Sequence, residues 1–380
     1  MPHRPLSSLE AASLVAGSGL GTGILAIPYA ASKVGFMGVA FSVATAFAVS
    51  TLLHLLVADL VLHSKHAAQL IGIFREHLFS GRFGRLLTAI FFLILAVVLF
   101  LNLTIYMLVA SEVISSLSGL SETSIKFLFY GFSSAIVLLG IRIIGISEKF
   151  SMVFLGIVVL YLTSLAKWNL QRDLALGFGD PLKAMALYGL CMFSFSALFS
   201  VPQVVNHIAD KSKIRRSIIA GMGANALITL VFSAAVLTAS GQVTKVATIG
   251  LSRSMGTASE LACALFVLLA MLTSYWSIAL AQLEILREQT GLGRAWCWLI
   301  ATLPTLWMAM VLPAGFIDYI QIAGGSVAVI IGCMVLPAYR VSIRGSEKPL
   351  LLGKTGSSAG LPFVLFFFYV IMAASSFIEV

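Results

Sequence analysis

Residues 17–28 read GSGLGTGILAIP, with glycine at every second position from Gly17 to Gly23 and Pro28 five residues later. Glycine lowers helix stability by about 1 kcal/mol relative to alanine, so a helix through this stretch is expected to break. A break in an apolar setting exposes peptide groups that can do chemistry. The N–H groups that open the second half carry partial positive charge and suit an anion such as a carboxylate; Gly21, Thr22, Gly23 and Ile24 are placed for this. The carbonyls that close the first half, from Ala16 to Gly19, suit a cation or an ammonium group. The alternative use of glycines four apart is close helix packing. A second stretch, residues 192–203, reads MFSFSALFSVPQ; it clusters Ser194, Ser196 and Ser200 ahead of Pro202, which removes a helical hydrogen bond. Its carbonyls near Phe193 to Ser196 offer a second ammonium site, and Phe193, Phe195 and Phe199 can wall a side-chain pocket or simply pack. Thr273 and Ser274 are adjacent hydroxyls in an apolar stretch. Together with carbonyls of Ala16 and Gly19 they form a candidate Na⁺ site; the competing reading is back-bonding to their own helix. Asn102 and Tyr106, four apart, share a helix face, and Tyr106 is placed to close over a ligand.

The elements that must hold these residues are membrane spans. The 380 residues are 59% hydrophobic and 10% charged, more apolar surface than a soluble domain can bury. Eleven apolar segments follow: 8–34, 37–62, 86–116, 124–145, 149–167, 181–207, 215–240, 257–286, 295–313, 316–340 and 359–378. Most reach the ~18 residues that a span needs. The first is too long, and too broken by glycine, for a cleaved signal peptide. Seventeen of the 24 lysines and arginines fall on one side of this threading, with clusters at Lys65–Arg85 and Lys211–Arg216. The positive-inside rule then sets the N-terminus inside and the C-terminus outside. The net charge of +9 is therefore a topology signal, and no nucleic-acid partner is expected. Residues 66–79 (HAAQLIGIFREHLF) have helical amphipathic spacing and predict a helix lying on the membrane surface. Cys191, Cys263, Cys297 and Cys333 match no zinc or redox spacing and read as buried structural thiols.

The two candidate breaks lie five segments apart, so their spans run in opposite directions. That is the pattern of an inverted repeat with two broken helices meeting near the midplane. A ligand with both an ammonium and a carboxylate, an α-amino acid, fits such a pair. Ionisable residues inside spans are functional candidates, but Asp59, Glu112, Glu260, Glu284 and Asp318 all fall near segment ends; no midplane carboxylate is expected. His54 and His207 read as structural. No HExxH, Gly-x-Ser-x-Gly or paired carboxylates mark an enzyme.

GTGILAIPYAASKVG (21–35) resembles the first-helix signature of the amino acid/auxin permease family, within the amino acid–polyamine–organocation superfamily. ADLVLHS (58–64), LTSYWSIALAQLEIL (272–286) and IAGGSVAVIIGCMVLPAYR (322–340) resemble its second, eighth and tenth helices, so the likeness runs through nearly the whole chain. The resemblance implies a single all-α transporter domain over residues 1–380. Its LeuT-type five-plus-five inverted repeat would occupy 8–167 and 181–340, with helices 1 and 6 unwound and an eleventh helix at 359–378. It implies cation-coupled secondary active transport of amino acids, with segments 1, 2, 6 and 7 rocking against 3, 4, 8 and 9. By position it gives Thr22 and Gly23 to the substrate carboxylate, and Thr273 and Ser274 to the sodium site of sodium-coupled relatives. Proton-coupled relatives share that pair, so Na⁺ and H⁺ both stand. Some proton-coupled members carry a lysine midway along the fifth helix; Gly156 falls there. The short N-terminal tail leads to the expectation of a prokaryotic inner-membrane protein. A membrane sensor that binds an amino acid without moving it is the alternative.

Overall fold

The computed structural model describes residues 6–65, 68–79, 81–166, 179–208, 210–239, 243–312, 316–344 and 351–379, with the side chains of residues 255, 257, 258 and 316–319 outside the description. Every regular element among them is helical. The first span is two helices, α1 (Ser8–Leu20) and α2 (Gly23–Val34), bent by 53° at the break between them. Gly21 takes φ 29°, ψ −154°, a left-handed conformation that a side chain would strain, and Thr22 then opens α2. Pro28 does not contribute to the interruption, since α2 runs through it.

Further spans follow as α3 (Phe36–His63), α5 (Gly84–Ser118), α6 (Glu122–Leu139) and α7 (Ile141–Leu165), with a short α4 (Leu70–His77) between α3 and α5. The sixth span is again interrupted. Asp180 caps α8 (Pro181–Ser194) by accepting from Leu182 N–H at 2.9 Å. The chain leaves helical geometry at Phe195 and resumes it in α9 (Val201–His207). Pro202 sits in the first turn of α9, where its missing N–H has no helical partner to lose. Then come α10 (Lys211–Ala239), α11 (Ala247–Met255), α12 (Thr257–Thr290) and α13 (Arg294–Val311). The tenth span joins α14 (Phe316–Ile330), a π-helical turn (Ile331–Val335) and α15 (Leu336–Ser342). The widened turn lies just before Pro337, whose ring would clash with an ordinary i−4 carbonyl. A short α16 (Lys354–Ser357) precedes α17 (Gly360–Ser375), the last apolar helix. Eight helices are long and apolar enough to cross a membrane and the bent α1–α2 pair makes a ninth span. The broken α8–α9 and the shorter α17 bring the traverses among the described residues to the eleven expected.

Burial sorts the spans. The most apolar windows of α3 and α12 are each 72% buried, against 28% for α6 and α13. The broken spans lie among α3, α7, α10 and α12, while α6 and α13 turn bulky side chains such as Leu128, Leu139, Trp296 and Trp307 outward, as lipid-facing helices do.

Four expectations need correction. Segments 4 and 5 were drawn as 124–145 and 149–167, but the turn is at Gly140, with φ 94°, so residues 141–149 belong to the fifth span. The surface helix exists as α4, yet its apolar face is buried on the protein, with Phe74 edge-on to Phe91 at 5.5 Å. The connection before segment 8 contains a further helix, α11. Cys333 is exposed rather than buried, unlike the other three cysteines.

Close packing around α1 generates a first prediction. A Cβ on Gly221 of α10 would fall 2.5 Å from the Ala12 carbonyl and 2.8 Å from Val15 Cβ. Gly221→Val must push α1 and α10 apart at a cost of about 1–3 kcal/mol. Thermal denaturation of the purified protein is expected to show a clearly lowered midpoint, whereas Gly223→Ala, where a Cβ meets nothing within 4 Å, stays near the parent value.

Candidate functional site

Each break leaves peptide groups that water cannot serve, and each is bridged by a side chain from a neighbouring helix. At the first, Gly21 N–H should donate to Gly17 C=O in an unbroken helix. Instead Gly21 N–H donates to Ser274 Oγ at 2.9 Å, and Ser274 Oγ–H donates to Gly17 O at 2.8 Å. One hydroxyl from α12 is thus spliced into the helical ladder. Tyr106 faces the same bridge: a Cβ on Gly21 would fall 3.4 Å from both its hydroxyl and Ser274 Oγ. Thr273 beside it bonds back to Leu269 O and Ala270 O at 3.0 Å, with Gly17 O further off at 3.5 Å.

At the second break, Asn225 of α10 donates from Nδ2 to Ser194 O at 2.7 Å, satisfying the carbonyl end of α8. Ala197 N–H donates to His54 Nε2 at 2.9 Å. That assigns the tautomer: Nε2 accepts, so Nδ1 carries the hydrogen and donates to Ser50 O. His54 and Asn225 are fully buried. His54 is structural, as expected, but midway through the bundle and in contact with the break.

The two breaks touch. A Cβ on Gly19 would lie 2.6 Å from Asn225 Nδ2 and 2.9 Å from Ser194 O, and one on Gly23 would lie 2.9 Å from Ser194 Cβ. Between them is a small cavity of about 10 Å³, lined by Ser18, Gly19, Gly21, Asn102, Tyr106, Phe193, Ser196, Phe199, Ile278 and Val327. That is room for roughly one water. Of the residues singled out in the sequence, Gly19, Gly21, Asn102, Tyr106, Phe193, Ser196 and Phe199 line it. Thr22, Gly23, Ile24, Ser194 and Phe195 lie behind its wall in the two breaks, and Ala16, Thr273 and Ser274 lie on the α1–α12 side. Ile278 of α12 and Val327 of α14 were not anticipated; Ser18 lies within the Ala16–Gly19 stretch. The buried hydroxyls of Thr22 and Ser194 have no hydrogen-bond partner. A larger cavity of about 550 Å³ between α5, α14 and α17 is almost wholly apolar and includes the exposed Cys333 and Phe377; it lies away from both breaks.

One buried carboxylate was missed. Glu148, on α7, is fully buried. It lay in the supposed turn between segments 4 and 5, but the displaced boundary puts it on the inward stripe Ile144, Glu148, Ser151, Leu155. That spacing of four, three and four was the available signal. Asp59, in contrast, lies near the end of α3 and accepts the Leu351 N–H at 2.8 Å, with Lys211 near enough to act on it electrostatically. Gly156, eight residues beyond Glu148, faces open space.

Two spans, each unwound partway and meeting at one small cavity, give the chain the LeuT-type five-plus-five fold. The chain belongs to the tryptophan/tyrosine permease family, whose profile matches residues 5–375. The match names that family and not the amino acid/auxin permeases to which the motifs were likened; transporter class is common to both. Solved transporters share the fold at low identity. MhsT in complex with L-phenylalanine is 15% identical, with 99% of this chain and 100% of that one covered and a TM-score of 0.68. Mhp1, a nucleobase-cation-symport-1 family transporter in a closed conformation with bromovinylhydantoin bound, is 15% identical over 97% and 91%, with a TM-score of 0.67. A manganese transporter mutant from Eremococcus coleocola is 14% identical over 97% and 85%, with a TM-score of 0.65. No curated protein matches the chain.

The Ser274 bridge gives a second prediction. Ser274→Ala leaves Gly21 N–H and Gly17 C=O buried without partners, at about 1–3 kcal/mol each. The variant is expected to unfold at lower temperature than the parent in the same detergent, and to lose more stability than Thr273→Val, because Thr273 mainly back-bonds within α12.

Proposed function

We propose that the protein is a cation-coupled carrier of aromatic amino acids that works by alternating access across the cytoplasmic membrane, with its N-terminus inside and C-terminus outside. The observation that carries the reading is the small cavity where the two breaks meet, with Gly19 and Gly21 of the first break, Ser196 of the second and aromatic rings sharing its wall. An amino acid presents a carboxylate, an ammonium and a side chain. The start of α2, with the unpartnered Thr22 hydroxyl, supplies donors for the carboxylate. The end of α8 near Ser194 and Ser196 supplies carbonyls for the ammonium. Phe193, Phe199 and Tyr106 supply apolar area that favours an aromatic ring. The family name and the phenylalanine complex of MhsT support the same class.

A cavity of about 10 Å³ cannot hold an amino acid. Substrate must therefore enter when the helices part, and the closed form is one state of a cycle. The division into rocking α1–α3 and α8–α10 against α5, α6, α12 and α13 follows the family resemblance. The excess of basic residues on one set of loops supports the orientation.

The test is counterflow in proteoliposomes loaded with tryptophan, tyrosine, phenylalanine or leucine. Labelled aromatic amino acid is expected to accumulate against unlabelled aromatic amino acid, with leucine a poor exchanger. Tight binding without exchange would replace this reading with a sensor. Gly23→Leu, whose side chain must enter space held by Ser194, is expected to abolish exchange while the protein still inserts.

A further inference from the structure

Glu148 stands out as the one fully buried carboxylate against the first break. Its Oε1 accepts from Ser277 Oγ of α12 at 2.9 Å, and its Oε2 has no partner. The second oxygen is pressed against α1: a Cβ on Gly17 would fall 2.2 Å from Oε2 and 2.9 Å from Thr273 Cβ. Glycine at 17 is therefore what makes room for the carboxylate.

Electrostatically the placement is wrong for a bare anion. An ionised carboxylate held away from water without a counter-charge is costly. Here it also faces the last turn of α1, where unsatisfied carbonyls put the negative end of the half-helix. Among the described residues no ion pair involves Glu148. The ion pairs found among the described residues join Lys126 to Glu122 and Arg287 and Arg294 to Glu284, all near helix ends. The neighbouring Lys149 points instead over the Phe150 ring. On α1 the nearest acid is Glu10, about a turn away beside Gly145, and it is engaged in the Ser7 capping box. Glu148 Oε2 thus lies against Gly17 and Thr273 without a hydrogen-bond partner.

Resting on the carrier function proposed above, the geometry points to Glu148 as the seat of the coupling cation, its carboxylate taking up one monovalent cation, a proton or Na⁺, against the carbonyl end of α1. Binding there ties α1 to α7 and α12 on one side of the helix. Ser274 and Gly21 carry that wall to the substrate cavity on the other side. Cation and amino acid then stabilise the same closed arrangement, which is what coupling between two sites requires.

The experiment separates this from failure of the carrier reading. Wild-type protein and Glu148→Gln are reconstituted together with Ser277→Ala. Each is assayed for counterflow, and for uphill uptake driven by an inward pH gradient without Na⁺ or by an inward Na⁺ gradient at equal pH. Wild type is expected to exchange and to accumulate under one gradient; that gradient identifies the occupant as proton or Na⁺. Glu148→Gln is expected to exchange but to lose accumulation under both. Ser277→Ala, which removes only the Oε1 partner, is expected to keep accumulation with the half-maximal cation concentration shifted about tenfold, the scale of one hydrogen bond to a charged group. Accumulation by Glu148→Gln at the wild-type level overturns the assignment. So does wild-type exchange that neither gradient drives uphill, or an unshifted Ser277→Ala if Glu148→Gln fails to insert. Absence of wild-type counterflow overturns the carrier function itself.

Discussion

A peptide group inside a bilayer must find its partner within the protein, because the hydrocarbon offers none. Most of this structure obeys that constraint through continuous helices. Where the chain departs from it, at Gly21–Thr22 and at Phe195–Ser200, side chains from other helices bond to the peptide groups beside the break: Ser274 for the first, His54 and Asn225 for the second. These residues come from α12, α3 and α10, so the breaks are stable only inside the assembled bundle.

The same bridges explain how a closed site can also open. A side-chain hydrogen bond to a backbone group contributes about 1 kcal/mol net, far less than a buried apolar face. Separating α12 from α1 at Ser274, or α3 from α9 at His54, exchanges one polar partner for another once water or a ligand enters. The packing behind the bridges is tighter. Gly17, Gly19, Gly23 and Gly221 each sit where an added Cβ would come within 3 Å of a neighbour. Close glycine contacts hold the half-helices in register, and the hydroxyl, imidazole and amide groups hold the ends that must move. The two readings weighed for the glycines, a break and close packing, are thus both realised in one stretch.

The carboxylate at Glu148 extends this logic to charge. The cavity side of α1 meets aromatic rings and peptide groups; the opposite side meets an acid with one oxygen unpaired. One broken helix therefore separates two chemically distinct surroundings. A secondary transporter needs that arrangement, since the free energy of one solute must reach the other through shared protein atoms.

Local physics was enough to show the spans, their number and both breaks, because apolar length, glycine spacing and proline act within a few residues of themselves. Tyr106, Phe193 and Ser196 could be picked out because they lie in or beside those irregular stretches. Ile278 and Val327 could not, since each reaches the cavity only through how the bundle is packed. Glu148 was hidden by a turn placed a few residues late, and its neighbours Gly17 and Ser277 lie more than a hundred positions away on either side. The sequence by itself determined that this is a bundle of membrane helices interrupted at two points, because the bilayer penalises exposed peptide groups wherever they occur. Which side chains repair those points, and which acid is left without a counter-charge, only the tertiary structure decided, because a helix fixes which face a residue lies on but not which neighbour that face will meet.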